Sequence, residues 1–437
     1  MIHIKENLPP AAKKALGIYE DALHAIRAGE LIRRTVSLKE SILKIERHSF
    51  DLNHFSRILL LGVGKASTGM GAAMGEILQG YAFESLLITK KGYATPQTSL
   101  RIMETSHPIP DESSIEAGEE IHTILSSTSE DDLVIFLLSG GASALMELPV
   151  EGVSLTDLRS VTQRLLESGA NIAELNSVRQ GLSRIKSGGL ARAAHKAKVI
   201  CLCISDVMGN DLSLIGSGPF FTPSISEEPP LQILYRFNVL EGEFPQVFKV
   251  LRKVTSASLT PFVPHVIIGD IHTALDAAAE SARKHGMHPL PLTDSFSGEA
   301  RNLGANVGGM ASNLEHIRSQ TGMDCLILGG ETTVTVRGAG KGGRSQEVAC
   351  AAALVIDGVE NIAVLSAGTD GSDGPTDAAG GLIDGDTVRK TSPQRFRDAL
   401  ARNDTYSCLQ EAGALLITGP TDSNVGDVVI CVLCEEI

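Results

Sequence analysis

Apolar residues recur along this chain with two periods, and the switching between them predicts its elements. Residues 11–28 carry Ala15, Ile18, Ala22, Ala25 and Ile26 at helical spacing, so an amphipathic helix comes first. Short continuous apolar runs follow at 58–63, 83–89, 133–138, 199–204, 265–268, 288–292, 325–328, 362–366 and 428–433. Each has the length and β-branched character of a buried strand. Helical patterns separate them, at 68–78, 113–125, 155–167, 173–192, 272–284, 298–319, from Ser345 onward, and at 406–412. A further short run lies at 415–418. The stretch Thr333-Val334-Thr335-Val336 alternates with a period of two and predicts another strand. Strands and helices alternating in this way predict an α/β fold.

The polar punctuation matters as much. Glycine turns repeatedly follow the predicted strands: Gly62-Val63-Gly64-Lys65, Ser139-Gly140-Gly141, and Gly216-Ser217-Gly218. Open α/β sheets bind ligands at the carboxyl ends of their strands, which gives Lys65 a candidate role as a ligand-facing cation. The strand at 199–204 ends in Ser205-Asp206, a carboxylate placed where a metal-binding aspartate would sit. Arg179 and Lys186, seven apart, could share one face of a continuous helix.

The richest stretch is 326–354. After Gly329-Gly330 and the alternating residues come four glycines between Gly338 and Gly343, with Lys341 among them, then Arg344 at the start of an alanine-rich helix. Glycines cost conformational entropy, so the chain there either turns tightly or approaches something closely. Free amides, the positive end of a helix and two cations suit an anion, most simply phosphate. The later loop 367–377 carries Asp370, Asp373 and Asp377 among glycines. It lacks the closing glutamate of a calcium loop and fits a Mg²⁺–phosphate complex or sugar hydroxyls better.

Length and charge narrow the classes. A chain of 437 residues suggests two or three domains, with a boundary near Pro261 dividing 1–260 from 261–437. A net charge of −14 argues against nucleic acid and anionic membrane as partners, so an anionic substrate must be held by local cations. The seven cysteines lie mostly in apolar strand-like runs and read as small hydrophobes of a reducing compartment. Strand alternation puts Cys431 and Cys434 on opposite faces. No signal-peptide core and no apolar run of membrane length stands out, so a cytoplasmic protein is expected. Gly338 to Gly343 satisfies G-x-G-x-x-G, but the first strand's turn lacks the third glycine of a dinucleotide fingerprint and the second strand ends in Lys90-Lys91 rather than an acid. Neither the P-loop motif nor the protein-kinase motifs occur. The inventory of amides, cations and carboxylates is nevertheless the one phosphoryl transfer requires.

Taken together, the segments GVGKAS, SHPIPD, LLSGGASAL, LNSVRQGLSRIKSGGLA, CISDVMGND, GSGP, GGETTVTVRGAGKGGRSQE and AGTDGSDGPTDAAGG resemble, in order, the two-domain glycerate kinases of the MOFRL type, some of which are labelled hydroxypyruvate reductases. The resemblance implies two three-layer α/β/α domains facing a central cleft, the N-terminal one Rossmann-like. It implies an ATP- and Mg²⁺-dependent kinase acting on D-glycerate, with 2-phospho-D-glycerate as product; a homodimer is one possible assembly, fixed neither by the residues nor by the resemblance. It places paired catalytic cations on Lys65 and Arg344, and both side chains are expected to reach into solvent in the open form. Nucleotide contacts fall on Ser139, Gly140, Gly141, Lys186, Gly216, Ser217, Gly218, Glu331 and Lys341, and metal contacts on Asp206 and Asp370. Ala142 and Ser345 stand where relatives more often show Gly and Asn. The alternative activity is an NAD(P)H-dependent hydroxypyruvate reductase, motivated by the G-x-G-x-x-G match and the double labelling.

Overall fold

The computed structural model describes residues 8–94, 99–221, 228–253 and 260–434. It is an α/β protein with two main sheets, and its contacts divide the chain into one unit of Leu31–Ile268 and another of Met1–Glu30 with Gly269–Ile437. Parts of the proline-rich, acidic segment 222–230 and of the patternless stretch before residue 260 lie outside the described residues.

The unit of 31–268 opens with an antiparallel meander, β1 (Val36–Lys39), β2 (Ile42–Ile45) and β3 (His48–Asp51). A six-stranded parallel sheet follows: β4 (Arg57–Val63), β5 (Glu84–Lys90), β6 (Ile102–Thr105), β7 (Asp132–Leu138), β8 (Lys198–Ile204) and β9 (His265–Gly269). The order across it is β6-β5-β4-β7-β8-β9, so successive strands add outward from β4 in one direction and then, from β7, in the other. The reversal between β4 and β7 is the topological switch point, where such sheets bind ligands beyond the strands' carboxyl ends. All seven residues of β7 are buried, as its unbroken apolar run requires. A separate helical core, built on Leu158, Val161, Val178, Ile233 and Phe248, covers 155–181 and 230–251.

The helix expected over 173–192 is two. Ile172–Gly181 ends at Leu182, and Gly189–Ala193 starts after left-handed residues Ser187 (φ 47°) and Gly188 (φ 76°). Arg179 and Lys186 therefore do not share a helical face.

The second unit carries β10 (Pro289–Phe296), β11 (Cys325–Gly330), β12 (Ile362–Gly368), β13 (Gly380–Asp384), β14 (Leu415–Leu416) and β15 (Asp427–Leu433). Their order is β10-β11-β15-β12-β13-β14; only β10 and β11 run parallel. Helix Pro10–Ala25 packs on β12, β15 and helix Ile271–Lys284. Its Tyr19 is fully buried and donates a hydrogen bond to Gly368 O at 2.7 Å. Two features thus differ from a division at 260. The first helix buries its apolar face against the second sheet, and β9 completes the first.

Two other expectations fail locally. The helix expected at 298–319 breaks at Asn313 into Ala300–Ser312 and Leu314–Thr321. The alternating residues 333–336 form no strand: a single bridge joins Thr333 to Glu299, and Val336 is 75% exposed. The Glu299 carboxylate takes the Thr335 amide at 3.2 Å, so side chains satisfy this backbone where a ladder would.

Candidate active site

The switch point of the parallel sheet is built by two glycine turns laid against each other. Gly64 has φ 135°, and a Cβ there would lie 2.1 Å from Ser139 Oγ, so only glycine lets the turns meet. Lys65 N then donates to Gly140 O at 2.9 Å and Ala66 N to Ser139 Oγ at 3.1 Å. The half-buried Lys65 and the His107 ring flank Gly141: a Cβ on Gly141 would sit 3.5 Å from Lys65 Cγ and 3.1 Å from His107 Cδ2. Lys65, Ser139, Gly140 and Gly141 are brought together, with His107 as an added wall.

The Gly216-Ser217-Gly218 turn joins the same region. All three residues are left-handed, at φ 57°, 64° and 63°, and a Cβ on Gly216 would meet Leu138 and Ala142. Ser217 Oγ lies 2.8 Å from Ser143 Oγ. Arg179 donates to that same Ser143 hydroxyl at 3.0 Å and to Ser143 O at 3.2 Å. An arginine can only donate, so the Ser143 hydroxyl accepts from Arg179 and keeps its own hydrogen and a second lone pair for the contact with Ser217.

Lys186 converges here too, but inward. It is 1% exposed, donates to Ser143 O at 3.0 Å, and pairs with the fully buried Glu147 at 2.5 Å. Burial pulls its pKa down to about 8, with Glu147 opposing the fall. Ser183 Oγ and the Leu148 amide complete the Glu147 carboxylate at 2.6 and 3.0 Å. Glu147 escaped the sequence reading, although a lone acid in the apolar run SALMELPV was its signal.

In the other unit Arg344 begins helix Arg344–Val355. Its Nε and Nη2 form a two-pronged bond to Asp427, at 2.6 and 2.9 Å, while Nη1 donates to Glu331. Burial works against the charge, but Asp427, then Glu331 and Asp373, hold the guanidinium pKa above its ordinary value. Arg344 is thus engaged by carboxylates rather than reaching freely into solvent. Asp427 is only 2% exposed, and burial raises its pKa to about 6 against the pull of Arg344. As the residue before an apolar run, Asp427 looks in sequence like an ordinary turn former.

The amides of this helix are not open for phosphate. Ser345 N and Gln346 N donate to the two Asp373 oxygens at 3.2 and 2.8 Å, so the protein supplies its own anion. Burial, reinforced by Asp427, raises the Asp373 pKa to about 7 despite those amides. The glycine cluster also has a packing cause. Cβ atoms on Gly338, Gly340 and Gly342 would fall 2.3, 2.6 and 2.2 Å from Arg402 O, Arg402 O and Thr405 Oγ1, and one on Gly343 would fall 2.3 Å from Asp373 Cγ. The loop lies flat on 402–405, and close approach rather than turning demands glycine there. Lys341 is exposed, with Nζ 3.7 Å from the centre of the Tyr406 ring and 3.8 Å from Asp377.

Asp206 is half-buried at the end of β8, and Asp370, in the other unit, accepts from Ser372 N at 2.9 Å. Among the described residues no three His, Cys, Asp or Glu side chains converge on a cation position. No helix among the described residues is long and apolar enough to cross a membrane.

With this geometry in view, comparison with known proteins is decisive. Residues 14–252 match the domain of unknown function DUF4147, and residues 324–427 match the MOFRL family. D-glycerate 2-kinase of Thermotoga maritima is 39% identical over 86% of this chain and 91% of its own length. The chain belongs to the DUF4147/MOFRL glycerate kinase family. A crystal structure of a Thermotoga maritima glycerate kinase superposes with a TM-score of 0.84 at 35% identity, covering 97% of this chain and 99% of that one. Another family member, a putative hydroxypyruvate reductase of Agrobacterium vitis, is 38% identical over 85% of this chain and 98% of its own length. The motif resemblance therefore holds, and both groups of candidate residues in this glycerate kinase family member lie within its matched segments.

Proposed function

We propose that this chain transfers the γ-phosphoryl group of ATP to D-glycerate, giving 2-phospho-D-glycerate. One observation carries the reading: Lys65 stands at the switch point of the parallel sheet, fixed by Gly140 and flanked by glycine turns. Such a place suits a phosphate chain approached closely by backbone and met by one cation. In this reading each unit is a three-layer α/β/α domain, the first Rossmann-like, and the two share a cleft. ATP lies along Ser139–Gly141 and Gly216–Gly218, with Lys341 and Glu331 reached from the second unit. Lys65 and Arg344 meet the transferring group from its two sides during turnover, where charge builds on its oxygens. Mg²⁺ would be held by Asp206 and Asp370 with the phosphates and would neutralise their charge. The glycerate carboxylate adds a further negative group for the same cations.

The reductase alternative rests on the Agrobacterium vitis relative's name and on the G-x-G-x-x-G match. The geometry disfavours it. Those glycines follow an irregular loop, lie against 402–405, and precede a helix end already capped by Asp373. One experiment separates the readings: incubation with ATP, Mg²⁺ and D-glycerate, and in parallel with hydroxypyruvate and NAD(P)H. Glycerate-dependent ADP release is expected. Loss of nicotinamide absorbance without ADP release would replace the kinase reading by the reductase.

A further inference from the structure

We infer that Asn403 is a positioning residue for Arg344, a strut joining the irregular loop before the arginine to the first turn of the arginine's helix. The inference rests on the role proposed for Arg344. Asn403 is 6% exposed and holds a left-handed backbone, φ 55°, just after helix Pro393–Arg402. Its Oδ1 accepts from Arg337 N at 2.7 Å and Gly338 N at 3.0 Å. Its Nδ2 donates to Glu347 Oε1 at 2.7 Å and to Thr335 O at 3.3 Å. A carboxamide has two acceptor and two donor positions, and all four are used.

These partners lie on both sides of Arg344. Thr335 and Arg337 precede the glycine stretch, Gly338 opens it, and Glu347 follows Arg344 by three residues. Two backbone ties of the glycine stretch, Gly340 N to Arg402 O and Tyr406 N to Lys341 O, each 3.0 Å, come from the same 402–406 segment, while Glu299 holds the Thr335 amide further back. Without regular structure of its own, the loop takes its path from that segment, and Asn403 couples the path to the helix. Glu347 is 1% exposed and also faces Arg301 Nη2 at 3.2 Å, with Glu299 and the Cys350 thiol nearby. Burial raises the Glu347 pKa, Asn403 and Arg301 opposing. An amide facing that carboxylate bridges at every pH; a carboxylate in its place bridges only when a proton is shared.

The test is kinetic. Asn403→Asp keeps size and acceptor but loses the donor. At pH 8 it should lower kcat by about 10- to 100-fold, the scale of a slightly misplaced catalytic group, with the KM for ATP little changed. The loss should shrink as pH falls toward 6 and a proton bridges the introduced carboxylate and Glu347. Adding Glu347→Gln, which supplies a donor from the other side, should restore most of kcat and flatten the pH dependence. Arg344→Ala is assayed beside them, and circular dichroism checks folding. Wild-type kcat in Asn403→Asp, or a loss equal at all pH and unrelieved by Glu347→Gln, overturns the inference. Should Asn403→Asp not fold, Asn403→Gly keeps the left-handed backbone and removes the strut; wild-type kcat there overturns it equally. Wild-type turnover in Arg344→Ala overturns instead the functional reading on which the inference stands.

Discussion

The Lys186–Glu147 pair offers the sharpest separation of structural from functional charge. Lys186 is 1% exposed and Glu147 0%, so Lys186→Met leaves a carboxylate buried with only Ser183 and the Leu148 amide as donors. Breaking one side of a buried ion pair costs about 3–5 kcal/mol. For a unit of this size each kcal/mol moves the melting temperature by about 2–4 °C, so the unit containing residues 31–268 should melt roughly 6–20 °C lower. Glu147→Gln should cost a similar amount, because an ammonium is then stranded. The double variant removes both charges and should recover most of the loss, which a double-mutant cycle by calorimetry measures directly. The same proteins then report on ATP. If Lys186 acts only by keeping Glu147 paired, the folded double variant, in which Arg179 still holds Ser143, keeps a KM for ATP near the wild-type value. A stable double variant whose ATP KM has risen more than about tenfold would refute the structural role and show that the ammonium itself is spent on nucleotide.

Other outcomes follow from the same contacts. Lys65→Ala and Arg344→Ala should each lower kcat by on the order of 10²–10⁵ in the ADP-release assay. Arg344→Ala should also destabilise the fold by leaving Asp427 buried and unpaired; Asp427→Asn beside it should restore the melting temperature but not turnover. Asp373 has a raised folded pKa, so the stability it contributes is present below the unfolded carboxylate range and is lost as pH rises through about 7. Unfolding titrations should therefore show wild type gaining on Asp373→Asn as pH falls from 7 to 5, by up to roughly 1.4 kcal/mol per pH unit. On helix Ala300–Ser312, a Cβ at Gly309 meets nothing within 4 Å whereas one at Gly304 would lie 2.4 Å from Val348 O. Gly309→Ala should stabilise by about 0.5–1 kcal/mol and Gly304→Ala destabilise by about 1–3 kcal/mol in denaturant titrations.

The strands that carry the switch point were legible because they are buried on both faces. ILLLGV and LVIFLL leave no polar position for a half-exposed element, and both lie in the parallel sheet. The meander of β1–β3 was not legible. Its strands are four residues each, and its turns place Glu40 and Glu46 at positive φ where glycine or asparagine would have announced a hairpin. The strand expected at 333–336 failed for the opposite reason: period-two alternation marks a strand only when a neighbouring strand supplies a ladder. In the candidate site, residues on short turns after strands stood out, whereas partners far along the chain did not. Asp427, Asn403 and Glu147 gain their meaning from contacts 83, 66 and 39 residues away.

The glycine stretch before Arg344 shows how one pattern admits two physical causes. Glycine lets backbone approach a ligand, and it equally lets backbone approach backbone. Here the second cause accounts for Gly338, Gly340 and Gly342, and Asp373 occupies the amides that a phosphate would have used. An anion bound in this region would therefore be met by side-chain cations rather than by these amides. Arg344 is held in an asymmetric way suited to that: Nε and Nη2 are committed to the buried Asp427, while Nη1 meets Glu331, whose side chain is 47% exposed. The buried fork fixes the plane of the guanidinium, and the exposed contact costs little to exchange because water already shares it. A phosphoryl oxygen arriving at Nη1 would replace the weaker partner and keep the stronger. Lysine at 344 could keep neither arrangement, since a point charge has no second edge to anchor while the first one works.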